Sequence, residues 1–396
     1  MTTPQFRISE LDYDQQELDA VVEVIKSQWL SQGPKIEQFE NRFAEFVGSK
    51  RALAVSNGTA ALHLALLASG IGPGDEVLVP SFTFVASVNA VLYVGAKPVF
   101  VDIVGPHDLN IDPVDMAAKI TPRTKAAVVV HMAGFPADMD AILQLASEHN
   151  LVIVEDACHA VGARYNDNPA SPLSQKMAGT AGTVGCFSFF ANKNLVTGEG
   201  GMVVTDDPEI AERVRLARSH GMTKSSWDKA AGRATDYDLI DVGFNYRATE
   251  LTAALGLIQL EKLPAGNRRR RQCVARYRER LAGLPGITIP FADRLDDSSH
   301  HVFPILLEDS EIRAEFRSRL GQRGVQTTFH YPPVHLFTHY QKACPETPPL
   351  PQTCDAANRE VTLPLHARMT VEMVDAICDV ICEELGALTP SQVNHS

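Results

Sequence analysis

The feature that most restricts the fold of this chain is a short apolar run that keeps returning. Ala-Leu-Ala-Val-Ser (52–56), Glu-Val-Leu-Val-Pro (76–80), Pro-Val-Phe-Val-Asp (98–102), Ala-Ala-Val-Val-Val-His (126–131) and Leu-Val-Ile-Val-Glu-Asp (151–156) are nearly unbroken in apolar character. A strand with one wet face alternates apolar and polar residues. A continuous run belongs to a strand covered on both faces, as in a parallel sheet flanked by helices. Helical patterns at 59–68, 86–94 and 139–149 separate the runs. This alternation predicts an α/β domain with a mostly parallel central sheet, reaching to about residue 265. Ahead of it, Leu18, Val21, Val22 and Ile25, then Ile36, Phe39, Phe43 and Phe46, recur at helical spacing and predict two helices with a break at 27–34. An apolar helix over 251–263 is expected to close at Pro264-Ala-Gly266, and a charged helix follows over 267–281. Beyond Gly286, short strands (287–289 and 302–307), a helix over 311–321 and a last helix over 371–385 predict a smaller α+β domain. The expected division is 1–265 and 266–396.

Composition narrows the function. With 396 residues, 45% hydrophobic and 21% charged, the chain reads as an ordinary two-domain globular protein. A net charge of −12 argues against nucleic acid or an anionic membrane as the main partner. The run Arg268 to Arg271 therefore reads as a solvated, ion-paired helix face. No signal peptide and no apolar stretch long enough to span a bilayer are visible. The seven cysteines are scattered without a Cys-x-x-Cys pair, and read as reduced, small hydrophobes of a cytoplasmic enzyme. Cys378 and Cys382 read as core packing in a helix rather than as a metal pair, and no metal site is expected.

Candidate chemistry gathers at strand ends. Lys193 is isolated in a segment (186–201) of phenylalanines, short polar residues and glycines. A partly desolvated amine is a candidate Schiff-base nucleophile; a surface lysine on a loop is the bland alternative. Ser-Asn-Gly-Thr-Ala (56–60) ends a strand and opens a helix, where free N–H groups suit a phosphate. It is neither a Walker loop nor a dinucleotide fingerprint. Asp156 closes a buried strand. It would either hold a ring nitrogen protonated or cap a helix. His159 would reach the same ligand or be a satisfied core histidine. Phe84 or Phe82 would stack on a flat ring, or both would be core aromatics. Together, a phosphate cradle, an aromatic, an acid and a lysine are the set that pyridoxal 5′-phosphate (PLP) requires.

These motifs, in this order, resemble the DegT/DnrJ/EryC1/StrS family of PLP-dependent sugar aminotransferases, which adopt the aspartate aminotransferase fold (fold type I). The resemblance runs from Trp-Leu-Ser-Gln-Gly-Pro (29–34) through Ser-Asn-Gly-Thr-Ala-Ala-Leu-His (56–63), Pro-Ser-Phe-Thr-Phe-Val-Ala-Ser (80–87), Glu-Asp-Ala-Cys-His-Ala (155–160), Phe-Ser-Phe-Phe-Ala-Asn-Lys-Asn (187–194) and Gly-Phe-Asn-Tyr-Arg (243–247) to His-Tyr-Pro-Pro-Val-His (330–335). It implies that Lys193 is the Schiff-base lysine and Asp156 the pyridinium partner. It further implies that Gly58, Thr59 and Ser188 hold the phosphate, that Phe84 stacks on the ring, and that His159 approaches the 3′-oxygen. Asn245 would reach the cofactor phosphate of the neighbouring subunit, so a homodimer with shared active sites is implied. Trp29, Arg247, His330, Tyr331 and His335 would line the sugar-nucleotide site. The chain departs from the family pattern at Phe190-Ala191-Asn192 and at Cys158. Some relatives carry histidine in place of the lysine and are dehydratases; Lys193 predicts transamination.

The implied donor is L-glutamate and the implied acceptor a nucleotide-linked 4-keto-6-deoxyhexose. Two features favour C4 over C3. One is His-Met-Ala-Gly (131–134), where relatives acting at C3 tend to carry His-Leu-Tyr-Gly. The other is the long segment 220–246, in which Trp227 and Arg233, with Arg247, would position a diphosphate. A keto-cyclitol acceptor, or a non-catalytic PLP-binding regulatory protein on this fold, are the alternatives.

Overall fold

The apolar runs become the inner strands of one seven-stranded sheet. A computed structural model describes residues 5–165, 170–224, 226–232 and 234–388. Its strands are β1 (Arg51–Val55), β2 (Glu76–Pro80), β3 (Lys97–Val101), a small hairpin of β4 (Ile103–Gly105) and β5 (Asp108–Ile111), then β6 (Thr124–Val130), β7 (Val152–Asp156), β8 (Val184–Ser188) and β9 (Gly201–Thr205). The sheet order is β1-β9-β8-β7-β6-β2-β3. Pairs among β3, β2, β6, β7 and β8 are parallel, as the continuous runs predict. β9 runs antiparallel to both β8 and β1. It follows β8 through a loop without a helix, and a parallel return would need a crossover. That loop carries Lys193.

Helices cover both faces. The helices Pro34–Val47 and Met139–His149 pack on one, with Phe39 and Phe43 fully buried. The helices Gly58–Ala68, Val85–Tyr93 and Pro208–Ala217 pack on the other. Within the lysine segment, Phe187 and Phe189 point into the first core, 5.0 Å from Phe43 and 5.4 Å from Phe39 between ring centroids. Ser188, between them, faces the other way, as the two-residue period of an extended chain requires. Burial of each ring contributes about 2–3 kcal/mol and anchors the loop at its root.

Three expectations change. The helix expected to break at Pro264 is continuous from Glu250 to Leu281, with the proline inside it. Its first half packs Ala253, Leu260 and Leu263 into the sheet's core, and its second half packs Cys273, Val274, Tyr277 and Leu281 into a separate core. Burial along both halves outweighs the one hydrogen bond that proline cannot make. Arg270 lies inside the fold at 5% exposure rather than on a solvated face, while Arg269 pairs with Asp12 and Arg271 with Asp296.

The helix Gln15–Ser27 also differs. It buries Glu17 and Val24 and leaves Leu18, Val22 and Ile25 on the surface. Glu17 is held inward by Gln259 at 2.7 Å and Lys262 at 2.7 Å.

The second core belongs to a three-stranded antiparallel sheet of β10 (Ile287–Thr288), β11 (Phe303–Leu307) and β12 (Glu360–Leu363), covered by the helices Arg313–Gln322 and Val371–Leu388. β12 was not legible as a strand in the sequence. All seven cysteines are unpaired, and Cys378 and Cys382 pack in this core, as read from the sequence. Among the described residues no helix is long and apolar enough to cross a membrane.

Candidate active site

The C-terminal ends of β1, β2, β7 and β8 meet at one edge of the sheet, where open α/β sheets bind ligands. A cavity of about 440 Å³ opens there. Lys193, Asp156, Gly58, Thr59, Ser188, Phe84, His159, His330 and Tyr331 all line it. Lys193 is half-buried, and its backbone N–H donates to the Phe190 carbonyl at 2.9 Å. Its amine has no hydrogen-bond acceptor among the described residues. Burial lowers its proton affinity, against the fields of Cys158 and Asp156. A neutral amine is thereby easier to form.

Asp156 ends β7 and is 6% exposed. Ser87 donates to its Oδ2 at 2.7 Å, and the Cys158 N–H donates to its Oδ1 at 3.2 Å. Thr83 lies 2.9 Å behind Ser87, so the carboxylate is held at the end of a hydroxyl chain. It caps no helix among the described residues.

In the same cavity Asn57 caps the helix Gly58–Ala68, accepting from the Ala60 N–H at 2.8 Å. The N–H groups of Gly58 and Thr59 meet no acceptor among the described residues. A Cβ on Gly58 would lie 2.8 Å from the Ser188 Cβ and 3.2 Å from the Cys158 Sγ. Only glycine lets the helix start come this close to the end of β8. Two free N–H groups, a serine hydroxyl and a helix start form an anion cradle.

Aromatic and imidazole rings close the remaining sides. Phe84 is 56% exposed and its ring lies 6.0 Å from that of Tyr331. Phe82 is buried at 1% and belongs to the core. His159 is buried, with Nε2 2.9 Å from the Tyr331 hydroxyl and no protein partner at Nδ1 among the described residues. Burial, then the fields of Lys193 and His330, push its pKa well below the ordinary range, so the ring is neutral.

The remaining expected residues stand apart from this cavity. Trp29 packs against Trp227 with ring centroids 5.1 Å apart and planes tilted by 58°, beside a separate cavity that Trp227 lines. Arg247 donates to Ser219 at 3.2 Å, and Asn245 is exposed on the surface. His335 is buried, its Nδ1 2.6 Å from Ser81 Oγ, where it fixes the turn after β2. Arg233 lies outside the described residues.

Sequence reasoning missed Glu155, which supports the site from below. It is fully buried and accepts from the N–H groups of Gly179 (2.8 Å), Ala181 (2.7 Å) and Gly182 (2.5 Å), from the Tyr165 hydroxyl, and pairs with His131 Nε2 at 2.8 Å. The available signal was a charge inside an otherwise apolar strand. Asn194 was also passed over. It donates to Asn267 at 2.9 Å and to the Ser299 carbonyl at 2.8 Å, and its Oδ1 lies 3.1 Å from His301 Nδ1, tying the residue after Lys193 to the helix Glu250–Leu281 and to the segment before β11.

A phosphate-sized cradle, a buried carboxylate facing the same cavity, a lysine with a free amine and a buried imidazole nitrogen without a partner fit PLP. The fold and this set of residues define a PLP-dependent aminotransferase of fold type I. Residues 11–382 match the DegT/DnrJ/EryC1/StrS aminotransferase family, to which the chain belongs. It is 40% identical to the spore coat polysaccharide biosynthesis protein SpsC of Bacillus subtilis over 374 residues, 92% of this chain and 93% of that one. Among solved structures it resembles Helicobacter pylori PseC, an aminotransferase involved in the biosynthesis of pseudoaminic acid (TM-score 0.88, 32% identity, 96% of this chain and 99% of that one). It also resembles S. venezuelae DesV (TM-score 0.86, 38% identity, 96% and 98%).

Proposed function

We propose that this aminotransferase moves an amino group from L-glutamate to C4 of a nucleotide-linked 4-keto-6-deoxyhexose. The observation that carries the transaminase part is the free amine of Lys193 in the same cavity as Asp156 and the Gly58–Thr59 cradle. In this reading the Gly58 and Thr59 N–H groups and the Ser188 hydroxyl bind the cofactor phosphate, and Phe84 covers one ring face. Asp156, held by Ser87, keeps a proton on the ring nitrogen. When bound, PLP supplies an aldehyde carbon that carries the amino group and a ring that accepts an electron pair. Lys193 would act as general base and acid, taking the proton from the donor's Cα and delivering it to the carbon that carries the amino group. Tyr331 and His159 exclude water from that proton's path.

Preference for C4 rests on His-Met-Ala-Gly (131–134) and on the length of segment 220–246. The relatives' roles in polysaccharide and pseudoaminic acid biosynthesis support a sugar acceptor over a cyclitol. A homodimer is proposed with it. Leu18, Val22 and Ile25 form an exposed apolar stripe, and Tyr237, Leu239, Ile240 and Val242 another, which a second protomer would cover. Asn245 would then reach the partner's site. A cytoplasmic location agrees with seven unpaired cysteines. The proposed domain division falls near residue 265, inside the continuous helix.

The test is a panel of nucleotide-linked keto sugars and keto-cyclitols with L-glutamate and PLP-loaded enzyme, the product position being read by NMR. A 4-amino sugar is expected. A 3-amino sugar overturns the C4 assignment, and turnover of cyclitols alone overturns the acceptor class.

A further inference from the structure

Behind His330 lies a carboxyl that the reaction described above leaves unused. Glu360 opens β12 and is fully buried. It makes no ion pair among the described residues. Its Oε2 accepts the His330 backbone N–H at 2.9 Å, and its Oε1 lies 2.5 Å from Thr362 Oγ1. Thr362 Oγ1 lies 2.9 Å from Nδ1 of His330. His330 lines the cavity beside Lys193, and its Nε2 meets no protein partner among the described residues.

A hydroxyl has one proton to give. With neighbours on both sides at hydrogen-bond distance, Thr362 donates to one and accepts from the other. An ionised Glu360 only accepts. Thr362 then donates to it, His330 Nδ1–H donates to Thr362, and a lone pair stands on Nε2 in the cavity. A protonated Glu360 donates to Thr362, Thr362 donates to Nδ1, and the imidazole proton stands on Nε2. The two arrangements differ by one proton. A proton arriving at Nε2 is balanced by the Nδ1 hydrogen passing to Thr362 and the Thr362 hydrogen passing to Glu360. His330 is neutral before and after.

We propose that Glu360 and Thr362 are positioning residues that decide which nitrogen of His330 carries its proton, and so whether His330 offers the cavity a donor or an acceptor. The donor form would meet an oxygen of the acceptor sugar, a role that rests on the sugar-aminotransferase reading above. Both arrangements are accessible near neutrality. Burial pushes the Glu360 carboxyl up to about 8, against Thr362, the His330 N–H and the guanidiniums of Arg313 and Arg317 on the helix Arg313–Gln322. Burial and the field of Lys193 push His330 down to about 4; His159 and His301, which also face it, are neutral.

The experiment is ¹⁵N NMR of histidine-labelled, PLP-loaded enzyme without sugar, His330 being assigned by its loss in His330→Gln. As pH rises through about 8, Nε2 should pass from the N–H to the bare-nitrogen range and Nδ1 the reverse. Glu360→Gln, whose amide donates as the protonated acid does, should hold Nε2–H throughout. Thr362→Val should remove the coupled change and Thr362→Ser restore it. In the acceptor half-reaction the rate should change up to about tenfold across the same pH range, the worth of one neutral hydrogen bond, and the step should vanish in Glu360→Gln. One tautomer at all pH values in the wild-type enzyme, or a wild-type titration in Thr362→Val, overturns the proposal. A tautomer change in an enzyme that accepts no keto sugar leaves the relay standing and overturns the function reading instead.

Discussion

Glu155 and Asp156 are neighbours on β7 whose carboxylates serve opposite sides of the sheet. Asp156 faces the cavity, held by Ser87 at 2.7 Å, while Glu155 binds three backbone N–H groups of the turn at 179–182 and pairs with His131. One strand end thus anchors a loop with one side chain and presents an acid with the next. Strand geometry makes this automatic, because successive side chains point to opposite faces.

Lys193→Ala should keep the fold and lose turnover. Loss of the base alone is worth about 10²–10⁴-fold, and loss of covalent attachment adds to it. Both half-reactions would be followed by stopped-flow absorbance, with circular dichroism as the check on folding. A variant that still transaminates takes Lys193 out of its role.

Gly58→Ala should weaken cofactor binding more than stability. Its Cβ would meet Ser188 Cβ at 2.8 Å and narrow the cradle, and the helix itself tolerates alanine better than glycine. The PLP dissociation constant should rise about tenfold or more, measured by fluorescence titration of the apoenzyme. Unchanged affinity would place the phosphate elsewhere.

Glu155→Ala should destabilise by about 3–5 kcal/mol, because it strands His131 and three N–H groups in the core. Burial pushes the Glu155 carboxyl up, but His131, the Gly182 N–H and Tyr165 outweigh it and hold it below the ordinary value. Its contribution is therefore present above the unfolded value of about 4.5 and is lost as pH falls through the folded one. Urea unfolding at pH 7 and pH 4 should show the variant's deficit shrinking in acid; a deficit independent of pH would assign the loss to packing alone.

Glu360 should have the opposite sign. Held at about 8 against 4.5 in the unfolded chain, its carboxyl favours the fold below 4.5. That stability is lost as pH rises through about 8, by at most about 5 kcal/mol. Glu360→Gln does not ionise, so its urea midpoint should fall less than that of the wild type between pH 6 and pH 9. Parallel curves would mean that Glu360 is already ionised at neutral pH.

Much of this protein was determined by local patterns. Unbroken apolar runs, forced by burial on both faces, defined the parallel strands and hence the edge where Asp156, Gly58 and Lys193 would stand. Ordered motifs then identified the family, and every expected cofactor contact within the chain lines one cavity. Only tertiary structure decided what depends on residues far apart in sequence. It kept the helix intact through Pro264, because both halves are buried. It turned His335 toward Ser81 and away from the cavity, and left Leu18, Val22 and Ile25 exposed although their spacing suits a core. It also placed Glu360 and Thr362 behind His330, from a strand too short to be read. Propensity and periodicity act over one or two turns of chain, whereas a side chain's partners are chosen by the packing of elements that approach only when the whole core closes.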